Sequence, residues 1–350
     1  MNRFFPKLVF FLVLVYAASF AVTYARIRFE ENSGLISGVR APGLVSGRLS
    51  ITRELSDVVQ IPGGPTALMV EDEVNDRFFS MQVTGQADTD GPIVDVLLPG
   101  GFTLKDMEGV AVDTRGFVYV VSSHSLNSAG KPRRGSALAR MKWMDGKVGP
   151  AETVADLRPW LQSVVPEIAA VMDLAADSGG LNIEGLAYDP NGDRLLLGLR
   201  GPLIRDHPAI IPIHLIAPTG PFRRESLDLQ PMIRLDGIEN FGIRAVSWDP
   251  VSRGFWILTG GGGESAKTKN KFHLWFWNGS ETQPVAEPVE SIKFEKELKV
   301  GRQKFKLHPE GICVIHNPGA RPFLLVVTDG SPAYFKMDVP AIFNGKNNTR

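Results

Sequence analysis

Beyond the first fifty residues the apolar positions fall in short runs separated by turn residues, and one short pattern recurs among them. Its copies read Glu108-Gly-Val-Ala-Val-Asp113, Glu184-Gly-Leu-Ala-Tyr-Asp189, Arg244-Ala-Val-Ser-Trp-Asp249 and Glu310-Gly-Ile-Cys-Val-Ile315, with a weaker first copy at Ser56-Asp-Val-Val-Gln-Ile61. Each copy continues through a turn into a second β-rich run: Ala67 to Val70, Phe117 to Val121, Arg194 to Leu199, Gly254 to Leu258 and Phe323 to Val327. Asp189-Pro-Asn-Gly192 and Asp249-Pro250 supply hairpin turns, since Pro presets φ and Asn-Gly tolerates positive φ. The spacing is regular: Ser56 to Asp72, Glu108 to His124, Glu184 to Arg200 and Arg244 to Gly260 each span 16 positions. Glu310 to Asp329 spans 19, because Asn317-Pro-Gly-Ala-Arg-Pro322 lengthens the turn. Ser136 to Trp143 and His273 to Trp277 read as third strands.

These repeats predict an all-β chain, a β-propeller whose blades stack around an axis and leave only short edges. Five repeats are visible. A sixth blade built from Gly47 to Thr52 and Ala333 to Val339 keeps the count open at five or six. Val154, Leu157, Leu161, Val164, Ile168, Val171 and Leu174 follow helical spacing, so a helical insertion is expected over about 151–177, either packed on the surface or closing one mouth. The propeller domain is drawn over 45–343, after a linker at 26–44, and the polar residues 344–350 form a frayed tail.

Composition narrows the function classes. The 350 residues carry 38 Lys+Arg against 38 Asp+Glu, and this balance gives no field that would favour nucleic acid. Arg3 and Lys7 precede an apolar run from Leu8 to Val22 that ends in small residues. Residues 1–25 therefore read as a signal peptide, or as an uncleaved anchor that would be the chain's one attachment to a membrane, and the body is expected to be periplasmic or secreted. Cys313, the single cysteine, reads as a small buried hydrophobe. The oligomeric state is left open.

At Asp106-Met-Glu-Gly-Val-Ala-Val-Asp113, Asn182-Ile-Glu-Gly-Leu-Ala-Tyr-Asp189, Asp72-Glu73 and Thr328-Asp-Gly330, the chain resembles a bacterial family defined only as a domain of unknown function, of the DUF3616 type. More distantly it is similar to the phytase-like and esterase-like propellers, a likeness that implies a calcium- or metal-dependent hydrolase acting on phosphate or carboxyl esters. No catalytic set comes with the closer family.

If the repeat motif begins the innermost strand, its Gly permits close approach at the axis, and the preceding side chain points into one mouth of the channel. The ring is then Ser56, Glu108, Glu184, Arg244 and Glu310, and the returning strands add Asp72 or Glu73, His124, Arg200 and Asp329. Two arrangements satisfy these charges. In one, Glu108, Glu184 and Glu310 hold Ca²⁺ or Mg²⁺, His124 is a general base, and Arg200 and Arg244 position an anionic ester or phosphoester. In the other, Glu and Arg pair and close the channel, and the propeller binds a small ligand, glycan or protein without catalysis. Ser123-His124-Ser125 lacks a nucleophile elbow, so it is not read as part of a serine triad, and Gly261 to Thr268 departs from a P-loop, so it is read as an interblade loop.

Overall fold

The computed structural model describes residues 53–85, 89–261, 271–293, 298–300, 303–305, 308–330 and 333–340. Residues 1–25, read above as a signal peptide or anchor, the linker, the strand expected at Gly47 to Thr52, the 344–350 tail and the loop after Gly261 lie outside these residues. No helix among the described residues is long and apolar enough to cross a membrane.

The strands form five antiparallel blades in chain order. Blade one holds β1 (Arg53–Gln60), β2 (Thr66–Glu71), β3 (Arg77–Gln82) and β4 (Val94–Leu97). Blade two holds β5 (Met107–Val112), β6 (Phe117–Ser122) and β7 (Leu138–Met144), with β8 (Lys147–Val148) and β9 (Glu152–Val154) both pairing β7. Blade three holds β10 (Asn182–Asp189), β11 (Arg194–Gly201) and β12 (Ala209–Leu215), with β13 (Leu227–Leu229) and β14 (Ile233–Arg234) both pairing β12. Blade four holds β15 (Phe241–Asp249), β16 (Gly254–Gly261), β17 (His273–Trp277) and β18 (Ala286–Lys293). A hairpin of β19 (Leu298–Val300) and β20 (Gln303–Phe305) precedes blade five, made of β21 (Pro309–Ile315), β22 (Phe323–Gly330) and β23 (Tyr334–Asp338).

The inner strands pack in a closed circuit, β1 on β5, β5 on β10, β10 on β15, β15 on β21 and β21 on β1. This circuit settles the blade count at five among the described residues. Ala333 to Val339, taken above as part of a sixth blade, supplies β23, the third strand of the fifth.

Glycine makes the circuit tight. A Cβ on Gly109 would stand 2.7 Å from Cβ of Leu186 in blade three, and one on Gly311 would stand 2.5 Å from Cα of Asp57 in blade one. Bulkier residues at these positions would force neighbouring blades apart. The repeat aspartates cap the first turn of their blades: Asp113 Oδ1 accepts the amides of Arg115 and Phe117, Asp189 Oδ1 that of Asn191, and Asp249 Oδ1 that of Val251. The left-handed residue of the blade-three turn is Asp193, with φ 44°, rather than Asn191 or Gly192.

The helical insertion forms α1 (Leu157–Val164) and α2 (Pro166–Ala169). Leu157, Trp160, Leu161, Val165, Ile168 and Met172 are buried in one core with blades two and three, including Tyr119, Leu186 and Leu197. Arg158 of α1 donates to the carbonyls of His124 and Met172, so the insertion is packed structure and not a lid.

Replacing Gly109 by Val is expected to cost ~1–3 kcal/mol through overpacking, whereas Gly64→Ala, with open space around its Cβ, should be nearly neutral. Urea unfolding midpoints of the two variants check the difference.

Candidate functional site

Every blade shifts register at the same point of its innermost pairing. The shifts lie between Leu55 and Asp57, Met107 and Gly109, Ile183 and Gly185, Ile243 and Ala245, and Pro309 and Gly311. The residue skipped is in turn Ser56, Glu108, Glu184, Arg244 and Glu310. Each ring residue is thus the extra residue of a β-bulge, a device that re-aims a side chain away from the sheet's alternation.

Around the ring the charges divide into two halves. In blades three to five they alternate and join. Glu184 Oε1 accepts from Asn182 Nδ2 at 2.9 Å and from Arg200 Nη1 at 2.6 Å. Arg244 Nη1 stands 3.5 Å from Glu184 Oε2 and hydrogen-bonds Glu310 Oε2. Gly260, sixteen residues after Arg244, leaves room for it: a Cβ there would meet Arg244 Nε at 2.6 Å. Burial lowers the Arg244 pKa, with Arg200 adding to the effect and Glu184 opposing it.

Blades one and two carry mostly unpaired acids. Glu108 is partly buried and makes no hydrogen bond or ion pair among the described residues. Removal from bulk water raises its pKa well above the usual carboxylate range, reinforced by Glu184, Asp106 and Asp72 and opposed by Arg244. Asp72 is pushed up to about 6 by burial and then by the neighbouring Glu73. Glu54 pairs across strands with Asp329, whose charge is the first cause of its raised pKa. Asp106 accepts from Ser123 Oγ and lies 3.5 Å from Arg133 Nε.

The three glutamates do not come together as an ion cage. Arg244 already neutralises Glu184 and Glu310, and among the described residues no three His, Cys, Asp or Glu side chains are grouped to hold a metal ion. The Ca²⁺ or Mg²⁺ set of Glu108, Glu184 and Glu310 therefore does not fit this mouth. His124 does not open on it either. It is 3% exposed, clamped through its carbonyl by Arg158, and burial together with the Arg158 charge lowers its pKa to about 3. That imidazole is a poor base at neutral pH and is sealed from solvent. Arg200 is paired with Glu184, and Arg244 with Glu184 and Glu310, while the Asp72, Glu73 and Asp329 carboxylates make no ion pair among the described residues. Ser56 is a buried bulge residue of blade one.

Sequence reasoning passed over the residue two positions before each ring residue: Glu54, Asp106, Asn182, Gly242 and His308. Four of these five are polar or ionisable, which was the available signal, and Asn182 and Asp106 act directly on the ring glutamates beside them. The inner strands also enclose a second space, at their opposite ends, that the repeat did not reveal.

A family model described as "Protein of unknown function (DUF3616)" matches residues 153–341. The chain belongs to this family. The match begins within blade two, so the ring residues Glu184, Arg244 and Glu310 fall inside the DUF3616 region, whereas Ser56 and Glu108 precede it. No curated protein matches the chain. Among solved structures it is similar to the Malassezia sympodialis allergen Mala s 1, at 12% identity over 83% of this chain and 94% of that one, with a TM-score of 0.45. The PQQ-bound aldose sugar dehydrogenase of Streptomyces coelicolor matches at 13% identity over 87% of this chain and 97% of that one, with a TM-score of 0.40. Hydrazine synthase of Kuenenia stuttgartiensis matches at 13% identity and a TM-score of 0.37, over 82% of this chain, which spans 60% of that one. No activity is carried over from them.

The two halves of the ring should respond oppositely to loss of a carboxylate. Glu184→Gln leaves Arg200 and Arg244 without their shared partner and is expected to cost about 2–3 kcal/mol, below the ~3–5 kcal/mol of a fully buried pair because the Arg200 side chain is 30% exposed. Glu108→Gln should instead stabilise at neutral pH. A carboxyl whose folded pKa is raised binds a proton more tightly in the native state, so stability falls as pH rises from its unfolded pKa through its folded one. The gain from Glu108→Gln should be absent below about pH 4 and grow above it, read as melting temperature against pH.

Proposed function

We propose that this DUF3616 propeller is a binding protein that takes a small cationic molecule, an organic amine, into its acid-bordered mouth. The observation that carries the reading is an imbalance of partners. Arg200 and Arg244 are already engaged by Glu184 and Glu310, whereas Glu54, Asp72, Glu73, Glu108 and Asp329 have no cationic partner among the described residues. An incoming ammonium group would supply that charge and hold Glu108 and Asp72 ionised, offsetting the burial and, after it, the repulsion that raise their pKa values. An ammonium group suits such a site better than a divalent ion. It needs two or three acceptors in loose geometry, not a cage of oxygens at fixed distance. Glu73 and Asp329, both exposed, extend the negative field to the entrance. The N-terminal apolar run supports export, which would bring the mouth into contact with external solutes.

A metal-assisted hydrolase of esters or phosphoesters is the competing reading, and the pairing of Arg244 and the sealing of His124 weigh against it. Calorimetric titration separates the two. Titrating 1,4-diaminobutane into the protein is expected to give saturable heat, weakened at least tenfold (~1.4 kcal/mol) in the Asp72→Asn, Glu108→Gln double variant. The reading is overturned by the absence of amine binding, or by stoichiometric Ca²⁺ binding that disappears in a Glu108→Gln, Glu184→Gln variant and accompanies ester hydrolysis.

A further inference from the structure

All five inner strands run in the same direction along the axis, so their C-terminal halves meet at the mouth opposite the charged ring. They enclose a cavity of about 390 Å³ walled by residues of every blade, among them Val58, Val110, Leu186, Val246 and Val314. A volume of ~300–1,000 Å³ with mainly apolar walls and a few placed polar groups is the usual form of a small-molecule site. The polar groups here are held in place. His316 Nε2 lies 3.0 Å from Asp249 Oδ1, and Gln60 clamps the His316 backbone, its Oε1 accepting the amide at 2.8 Å and its Nε2 donating to the carbonyl at 3.0 Å. In the tautomer that donates to Asp249 through Nε2, Nδ1 is a hydrogen-bond acceptor. Trp248, half-buried at the cavity lip and 5.0 Å from the Phe255 ring, adds a flat aromatic surface. Most charges near the lip are already satisfied. Arg115 bridges Asp113 and Asp193, and Asp249 is bonded by His316, the Val251 amide and Trp256.

From these features we infer that the far mouth is a second binding site, for a compact, flat and largely apolar uncharged molecule carrying one hydrogen-bond donor. Side walls drawn from all five blades close the space laterally and exclude a helix or a partner's folded surface. Walls of Val, Ala and Leu favour apolar surface over charge, so the two mouths select different chemistry. Cys313 lines the cavity but takes no covalent part: burial pushes its thiol up to about 12, and its Sγ accepts the Gln60 amide at 3.1 Å.

The neutral fluorophore N-phenyl-1-naphthylamine tests the site in the whole protein. Saturable fluorescence with one molecule per chain is expected, with binding at least tenfold weaker in Val112→Trp, which fills the cavity from the half-buried end of β5. Should Val112→Trp fail to fold, Thr114→Trp at the exposed lip makes the same test. Glu108→Gln, at the other mouth, is expected to leave probe binding unchanged. The inference is overturned if the wild type shows no saturable signal, if the filled variants bind as the wild type does, or if Glu108→Gln weakens the probe as much as they do. Because the probe is uncharged and the amine titration reads the acidic mouth, either result stands without the other.

Discussion

The close approach of five innermost strands at the axis governs this molecule. Four of these five strands have a hydrogen-bonded neighbour on one side only, while β1 also pairs β22 of blade five through Arg53 and Glu54. Two consequences follow. Side chains near the axis must be small where strands touch, which is why Gly109, Gly185 and Gly311 stand where any Cβ would strike an adjacent blade. Amides turned away from their own sheet need acceptors from elsewhere, because a buried unpaired N–H is costly. Asp57 Oδ2 accepts the Val110 amide of blade two, and Cys313 Sγ accepts the Gln60 amide of blade one. Asp57 occupies the motif position that is Gly in three other blades, and burial holds its pKa well above the usual range. The blade-one departure from the repeat is thus a cross-blade clasp.

The same crowding explains the charged mouth. A bulge is the cheapest way to bring a long side chain into a channel too narrow for regular pleating, and repeating it in every blade assembles a ring from residues far apart in sequence. Once there, the charges cannot all be ionised in isolation. Blades three to five solve this by alternation, Arg200 to Glu184 to Arg244 to Glu310, with the Arg244 guanidinium 5.7 Å from the Phe272 ring. In blades one and two Arg53 pairs with Glu71 and Arg133 with Asp106, but among the described residues no guanidinium pairs with Glu54, Asp72 or Glu108, and their pKa values rise instead. The asymmetry is what gives the mouth a direction, with a closed ionic side and an open acidic side.

Strand direction separates the chemistry of the two ends. The bulged starts of the inner strands carry long charged side chains, whereas their ends carry Val, Ala, Ser and Cys followed by turn-capping aspartates. The rim of the far end is tied between blades by Arg115 with Asp193, Arg194 with Glu281, and His316 with Asp249. These links brace the apolar cavity and hold the rim carboxylates in hydrogen bonds.

Much was legible in the chain alone. The repeat, its 16-residue return in four of the five copies and its turn residues determined the all-β class, the first two strands of each blade and the residues at the bulge positions, because hydrophobic alternation and turn chemistry are local properties. The bulge itself was not legible. A one-residue register slip depends on which strand lies alongside, and nothing in a single strand records it. Pairing was likewise beyond the sequence: that Arg244 would neutralise Glu184 and Glu310, and that His124 would be sealed beneath α1, followed from the packing of blades two to five and the insertion. The closure at five blades was decided by the contact of β21 with β1, an interaction between the two ends of the propeller domain. Local patterning specified the parts and their spacing; the distances and desolvation that set their chemistry arise only when all five blades share one axis.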